Sequence, residues 1–319
     1  MPRFNIHHIT KYTYEGPVRD SANQIILFPI KDAFQEVLRQ DLTITGEPSL
    51  EVYKDYYGNE VGSFTHAEPH TSLVIDSRVE VVTKSRPALN DEMSRDAQWA
   101  TLEQLRWQVP YIDFLKQEAF ASIREVLEVV CPEKARTQTP LEAALQLRTY
   151  VYDHFKYIKG ITSVETTLDE VWKLKAGVCQ DFAHMLLVFL RDLQIPARYV
   201  SGYICPNKNG MRGEGATHAW IEAYIPGNGW VGLDPTNNCI ADDLHVRLAV
   251  GRSFPDCSPV KGTYKGSAGQ TLEVGVSVSY ESGKIIEEVE TTLAVQPTSN
   301  GNAEATNSYR RYMEMMQQQ

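Results

Sequence analysis

The stretch AGVCQDFAHMLLVFLRDLQIP, residues 176–196, restricts the fold more than any other part of this 319-residue chain. Its apolar residues recur at helical spacing, and Pro196 follows where the helix should end. The apolar positions that share one face are Phe182, Ala183, Leu186, Leu187, Leu190 and Leu193. A helix face that is this apolar must be covered by other parts of the protein. The pattern therefore predicts a buried helix that begins near Cys179.

Strands are predicted on both sides of a helical middle section. Residues 1–88 alternate apolar and polar positions, as in SLVIDSRVEVVTK, and KDYYGNEVGSF carries a hairpin turn. The helix in TPLEAALQLRTYVYDHFKY starts with Thr139 as N-cap, Pro140 at the first position and Glu142 completing a capping box. After the buried helix, ARYVSGYI, THAWIEAYIP and GWVGLDPT have the composition of short strands, and a PGNG turn joins the last two. Separate runs of helices and strands predict an α+β fold.

This pattern divides the chain into three predicted parts. Residues 1–88 form a β-rich N-terminal domain. Residues 89–295 form a core with C-terminal strands, in which TLEVGVSVSYE alternates as a strand should. Residues 296–319 are polar and are expected to form a flexible or short helical tail.

Composition excludes several classes of function. The formal net charge of −10, with no basic block, argues against binding to nucleic acid or to an anionic membrane surface. No stretch approaches the roughly 18 apolar residues of a membrane helix, and MPRFNIHHITKYTYEG has no apolar signal-peptide region, so we expect a cytoplasmic location. The chain carries neither a dinucleotide fingerprint nor a P-loop, and its five cysteines form no C-x-x-C pair. We therefore predict no cofactor and no metal.

Three residues stand out as a candidate catalytic set. Cys179 lies at a helix start, where unpaired N–H groups and the helix dipole favour a thiolate. His218 lies in a predicted strand, and Asp234 ends the next strand beyond the hairpin turn at 226–229. An imidazole can take the proton of the thiol, and a carboxylate can orient that imidazole. Taken as residue types alone, the three are also compatible with separate structural roles.

The motifs around these residues resemble the core of the transglutaminase-like superfamily. The matching segments are GVCQDFAHMLLVFLRDLQIPARYVSGYI and THAWIEAYIPGNGWVGLDPTNN, and the likeness covers about residues 140–240. HHITKYTYEGPV, NQIILFPI and DYYGNEVGSFTHAEPHTSLVI resemble the β-rich region that precedes this core in bacterial members. The resemblance implies a papain-like fold, with the cysteine helix packed on an antiparallel sheet. It also implies a catalytic triad of Cys179, His218 and Asp234.

An oxyanion hole needs a second donor besides the backbone N–H of Cys179. The candidates from sequence are the hydroxyl of Tyr157, the side chain of Gln180 and the indole of Trp172, with Tyr157 ranked first. Trp220, two residues after the histidine, is a further candidate for the oxyanion hole or substrate site.

The resemblance leaves the reaction open. The leading expectation is a cysteine-dependent hydrolase of peptide or amide bonds that acts through a thioester. The alternatives are a protein-glutamine amine transferase, and a non-catalytic binding protein that retains the fold. The expected partner is a peptide or protein substrate, and the oligomeric state is left open.

Overall fold

The computed structural model describes residues 1–90, 92–118, 120–162, 166–205, 211–212 and 217–280, and the backbone of 289–291. Its strands are β1 Arg3–Ile25, β2 Gln35–Ile44, β3 Glu51–Lys54, β4 Glu60–His66, β5 His70–Thr83, β6 Lys156–Tyr157, β7 Ala176–Gly177, β8 Ala197–Ile204, β9 Thr217–Ile225, β10 Gly229–Asp234, β11 Cys239–Ile240, β12 His245–Gly251, β13 Val260–Lys265, β14 Gln270–Tyr280 and β15 Val289–Thr291. Its α-helices are α1 Arg95–Leu105, α2 Ile123–Val130, α3 Pro132–Ala135, α4 Pro140–His154, α5 Leu168–Leu174, α6 Cys179–Asp192 and α7 Phe254–Cys257, with a 3₁₀ turn at Asp113–Leu115. The predicted succession of strands, helices and strands is confirmed.

The long strand β1 organises the first sheet. Its first half pairs antiparallel with β5 and β14, and its last residues pair with β4 and β13. A shift in register between Thr13 and Val18 separates the two halves. The first half buries every second residue, as a strand with one face on a core does. The β-rich character predicted for residues 1–88 and the β3–β4 hairpin are both confirmed.

The sheet also takes in strands from the far end of the chain. β13 and β14 pair with β1, and β15 pairs with β14. The segment TLEVGVSVSYE, apart from its last residue, which lies outside the described residues, is thus a strand as predicted, but it lies in the sheet begun by the N-terminal region. The division at residue 88 stays a prediction, and the tail at 296–319 lies outside the described residues.

The helices begin where the capping signals predict. Thr139 Oγ1 accepts the N–H of Glu142 at 3.2 Å, and Glu142 Oε2 accepts the N–H of Thr139 at 2.8 Å. These two bonds form the predicted capping box of α4. The predicted buried helix is α6, and its apolar face lies in the main hydrophobic core.

A second, five-stranded antiparallel sheet supports α6. Its strand order is β11-β10-β9-β8-β12. Alternate residues of β9, such as Ile221 and Ile225, join the same core as the apolar face of α6. The predicted turn between β9 and β10 is present, with Gly227 and Gly229 at positive φ. Because α6 and β9 pack closely, the start of the helix is brought to the strand that carries His218.

Polar contacts join the two sheets. His8 Nδ1 lies 2.9 Å from the hydroxyl of Tyr203, and Asn59 exchanges hydrogen bonds with the backbone of Val250. Gln35 makes the same kind of exchange with the backbone of Arg247. The N-terminal sheet is therefore docked on the second sheet through satisfied, buried hydrogen bonds. Among the described residues, no helix is long and apolar enough to cross a membrane.

Candidate active site

The start of α6 is built around a glycine and an aspartate. Asp181 Oδ2 accepts the backbone N–H of Val178 and the hydroxyl of Thr162, both at 2.8 Å. A Cβ atom on Gly177 would overlap this carboxylate, so only glycine leaves room for it. Burial raises the pKa of Asp181 to about 6, although both hydrogen bonds act to lower it. This carboxylate caps the helix and holds Cys179 at the first helical position.

The structure brings the three predicted triad residues together. His218 Nε2 donates to Asp234 Oδ2 at 2.9 Å, and both side chains are fully buried. The other ring nitrogen of His218, Nδ1, is buried and has no hydrogen-bond partner among the described residues, while the thiol of Cys179 is close enough to act on the charge of the ring. Cys179 itself is partly exposed. The imidazole thus has a buried carboxylate on Nε2 and a partly exposed thiol nearby.

Asp234 is held from several directions. Its Oδ1 accepts the backbone N–H groups of Thr236 at 2.8 Å and Asn237 at 3.2 Å. Its Oδ2 accepts the side-chain amide of Asn237 at 2.8 Å, in addition to His218. The charges and hydrogen bonds of His218 and His245 hold the pKa of Asp234 far below its ordinary value, against the opposing effect of burial. Asp234 is therefore ionised at neutral pH.

The ionised carboxylate determines the charge of His218. Burial alone would lower the pKa of His218, but the charge and hydrogen bond of Asp234, together with Cys179, raise it to about 10. A protonated imidazole beside the cysteine is the partner that a thiolate needs. At neutral pH, His218 is therefore protonated.

A second imidazole reaches the same carboxylate. His245 Nε2 lies 3.2 Å from Asp234 Oδ2, and His245 is 5% exposed. His245 starts β12, which adjoins β8 and is separated from β10 by two strands. Sequence reasoning missed this residue because no local motif links it to the triad.

Trp220 supports both imidazoles from the side. Its ring stacks on His218 at 6.1 Å between centroids and meets His245 edge-on at 5.1 Å. The indole is fully buried between two glycines, Gly202 and Gly232, on the adjacent strands. This burial gives Trp220 a packing role and leaves it no contact with a substrate from solution.

Of the oxyanion candidates, Tyr157 is the one whose environment includes the nucleophile. β6 pairs Tyr157 with Gly177, and the N–H of Ile158 donates to the carbonyl of Gly177 at 3.0 Å. Burial and then the charge of Cys179 raise the pKa of Tyr157, so the hydroxyl keeps its proton and is able to donate. These contacts favour Tyr157 as the second donor.

The other two candidates differ from each other. Gln180 follows Cys179 in α6 and is buried. Trp172 donates its indole N–H to Glu125 Oε2 at 2.6 Å. That hydrogen bond uses the only donor of the indole, so the structure does not support Trp172 in the oxyanion hole.

Arg212 lies close to Tyr157 and to the residues that follow Asp234. Its guanidinium stacks on Tyr152, and its charge opposes the rise in the pKa of Tyr157. The side chain of Asn237 holds the backbone of Arg212 through two hydrogen bonds, of 2.7 and 3.2 Å. Asn237 thus links the triad carboxylate to a cation at the site. Glu214, two residues further along the chain, lies outside the described residues.

His218, Asp234 and His245 have the donor atoms of a metal site. Among the described residues, these three side chains form a group of potential metal ligands, because their ligand atoms all lie within 4.8 Å of one another. However, the amide of Asn237 donates to Oδ2 and two backbone N–H groups donate to Oδ1. A metal would have to displace these donors, so the geometry fits a hydrogen-bond network better than a metal centre.

Comparisons with known proteins agree with this geometry. Residues 131–235 match the core of the transglutaminase-like superfamily, and residues 4–82 match the bacterial transglutaminase-like N-terminal region. An uncharacterised protein of Mycobacterium leprae is 32% identical over 283 residues, which cover 88% of this chain and 99% of the relative. This chain belongs to the transglutaminase-like superfamily. The resemblance predicted from the three motifs is confirmed, as is the mixed fold with its β-rich N-terminal region.

Two further matches extend the comparison within this superfamily. An uncharacterised protein of Mycobacterium tuberculosis is 32% identical over 295 residues, covering 86% of this chain and 92% of the relative. The crystal structure of a candidate cysteine protease from Cytophaga hutchinsonii superposes with a TM-score of 0.69, covering 96% of each chain at 21% identity. At that identity, the superposition shows the shared fold.

Proposed function

We propose that this protein is a cysteine-dependent hydrolase of peptide or amide bonds. The observation that carries the proposal is the hydrogen bond of His218 Nε2 to the buried carboxylate of Asp234, with the thiol of Cys179 acting on the same imidazole. A histidine with only a structural role would not need an ionised carboxylate on one nitrogen and a partly exposed thiol near its ring. Membership of the transglutaminase-like superfamily agrees with an enzyme of this kind.

In the proposed mechanism, Cys179 thiolate attacks the carbonyl carbon of the substrate and forms a C–S bond. The carbonyl oxygen becomes an oxyanion, which the backbone N–H of Cys179 and the hydroxyl of Tyr157 stabilise. His218 gives its proton to the leaving nitrogen as the C–N bond breaks, and a thioester remains. His218 then takes a proton from water, the resulting hydroxide attacks the thioester, and the acid product leaves with the thiolate restored.

Amine transfer is the second candidate, because the same thioester reacts with an amine in place of water. A protein-glutamine gamma-glutamyltransferase of Pseudomonas aeruginosa is 29% identical over 110 residues, which cover 32% of this chain and 16% of that protein. That short match supports the shared core chemistry. It favours neither water nor an amine as the second reactant.

The proposed substrate is a peptide or a protein side-chain amide, and the proposed location is the cytoplasm. All five cysteines are free thiols, which suits a reducing compartment. Fractionation of cells that express the protein, followed by detection with an antibody, tests the location. Recovery outside the cytoplasm would contradict it.

The first test of the enzyme measures alkylation by iodoacetamide between pH 4 and 9, with the label located by mass spectrometry. We expect Cys179 to react at pH 6, where an ordinary thiol with a pKa of about 8.5 is less than 1% thiolate. Cys131 is exposed and lies away from this site, so it serves as an internal control in the same sample. Selective labelling of Cys179 should disappear in His218→Ala. Labelling of Cys179 only at the alkaline end of the pH range would instead favour a non-catalytic binding protein.

The second test separates hydrolysis from transfer. Ammonia release from glutamine peptides is followed with and without a primary amine, and the products are identified by mass. The hydrolase proposal predicts that free acid remains the main product when amine is present. Preferential incorporation of the amine would make the protein a transferase. Cys179→Ser is the control for any background reaction.

A further inference from the structure

Three side-chain donors converge on one oxygen of the triad carboxylate. Asp234 Oδ2 lies 2.9 Å from His218 Nε2, 3.2 Å from His245 Nε2 and 2.8 Å from Asn237 Nδ2. A carboxylate oxygen has two lone pairs, so three donors must compete for its electron density. The hydrogen bond that His218 donates to Oδ2 is therefore weaker than it would be if Oδ2 accepted no other donor.

The direction of the His245 hydrogen bond follows from its other nitrogen. The backbone N–H of Asp242 points at His245 Nδ1 at 3.3 Å, and a backbone N–H is always a donor. In that geometry Nδ1 accepts and Nε2 carries the hydrogen that points at Asp234. A protonated ring, which the Asp242 carboxylate 3.6 Å from Nδ1 favours, would also donate from Nε2. His245 is thus a donor to the triad carboxylate in either state.

We propose that His245 is a positioning residue that competes with His218 for Asp234 Oδ2 and so limits how tightly the carboxylate holds the proton of His218. This inference rests on the proposed hydrolase mechanism. In the second half of that mechanism, His218 must be neutral in order to take a proton from water. If Asp234 Oδ2 accepted a hydrogen bond from His218 alone, the imidazole would stay protonated to a higher pH. The removal of a proton from water would then be slower.

Other charged and polar groups surround His245 and also act on the protonation of its ring. Asp242 and the thiol of Cys239 act on its ring, and Trp220 packs against it. A cavity of about 10 Å³ beside the ring is lined in part by three cations, Lys84, Arg86 and Arg247. None of the three cations donates to Asp234 among the hydrogen bonds of the described residues. His245, unlike these three cations, therefore makes a hydrogen bond to the triad carboxylate.

The test measures the protonation of His218 by the ¹⁵N shifts of its ring in a protein that carries Cys179→Ala. Removing the thiol imitates the thioester stage, in which no thiolate faces the imidazole. His245→Phe is added to this background, since phenylalanine keeps the ring volume and removes both nitrogens. We expect the titration midpoint of His218 to rise by roughly 0.5–1 pH unit, the size of one shared hydrogen bond.

Two further variants make the result specific. His245→Gln places an amide donor near the position of Nε2 and should return the midpoint to within about 0.3 pH unit of the parent. His70→Phe is the matched control, because His70 is also buried and hydrogen-bonded but lies in the N-terminal sheet. If His245→Phe does not fold, Asn237→Ala removes another donor from the same oxygen and should move the midpoint in the same direction.

An unchanged midpoint in His245→Phe, or in Asn237→Ala where that variant replaces it, would overturn the inference. So would an equal shift in His70→Phe. With Cys179 restored, the limb of the kcat profile that reports neutral His218 should move to higher pH by the same amount, with KM within about twofold. The midpoint needs no substrate, so this inference and the proposed hydrolase function can fail separately. Alkylation of Cys179 only at alkaline pH would refute the proposed function. An unchanged titration midpoint of His218 would refute the role of His245.

Discussion

Asp181 is a buried carboxyl group whose removal should stabilise the protein. It is 3% exposed at the start of α6, and burial raises its pKa to about 6 from an ordinary value of 3.8. Both described hydrogen bonds reach the same oxygen, Oδ2. In Asp181→Asn, the amide oxygen occupies that position and still accepts from Val178 and Thr162. The substitution therefore removes the buried charge and keeps the cap.

The expected gain follows from the difference in proton affinity. A carboxyl group that binds its proton about two pH units more tightly in the folded state costs about 3 kcal/mol of stability once it is ionised. In the wild type, the protonated Asp181 side chain makes its full contribution to stability below pH 4. This contribution is lost as the pH rises through about 6 and the side chain ionises. Asparagine escapes this loss but gives up about 0.3–1 kcal/mol of charge interaction with the helix N-terminus. Asp181→Asn should therefore be about 2 kcal/mol more stable than wild type at pH 8.

Urea unfolding of both proteins between pH 4 and 8 tests the reasoning. The advantage of Asp181→Asn should shrink as the pH falls and be gone by about pH 4. Asp169→Asn is a control of opposite sign, since hydrogen bonds from the side chain of Ser122 and the backbone of Ala121 and Ser122 lower the pKa of Asp169. It should lose more stability at pH 8 than at pH 4. An Asp181→Asn protein less stable than wild type at pH 8, or a gain independent of pH, would refute the account.

Three further substitutions test other parts of the site and its support. Gly177→Ala places a Cβ against the carboxylate of Asp181 and should cost about 1–3 kcal/mol, seen as a lower Tm; an unchanged Tm would mean that the capping aspartate moves freely. Glu222→Gln takes a buried anion away from Arg86, Arg198 and Arg247, of which Arg247 keeps a second carboxylate, Asp32, and should cost about 3 kcal/mol in urea unfolding; a loss below about 1 kcal/mol would contradict the buried-charge argument. Asp234→Asn removes the charge that keeps His218 protonated and should slow alkylation of Cys179 at pH 6 by at least about tenfold, whereas wild-type reactivity would remove the carboxylate from the proposed mechanism.

Much of the local structure was predictable from sequence because its signals are local. The capping box at Thr139, the apolar face of α6 and the turn at 226–229 each lie within one element or one loop. Helix capping and hydrophobic periodicity act over a few residues, so a single sequence displays them directly. The three catalytic candidates were found in the same way, through motifs at a helix start and on two strands joined by a short hairpin.

Contacts between distant segments could not be predicted in this way. Nothing in TLEVGVSVSYE indicates that β14 pairs with β1, because an alternating strand fits any sheet with one buried face. Trp172 was a reasonable oxyanion candidate until the structure placed its N–H on Glu125, 47 residues earlier.

The amino-acid sequence by itself determined which segments become helices and strands, and which residues are candidates for the proposed chemistry. Only the tertiary structure decided which other groups surround those candidates. His245 reaches Asp234 from a strand that begins 11 residues later and lies on the far side of β8 and β9. The physical reason is the distance along the chain over which each interaction acts. Propensity and capping act between residues close in sequence, whereas the hydrogen bonds around Asp234 depend on which strands pack side by side.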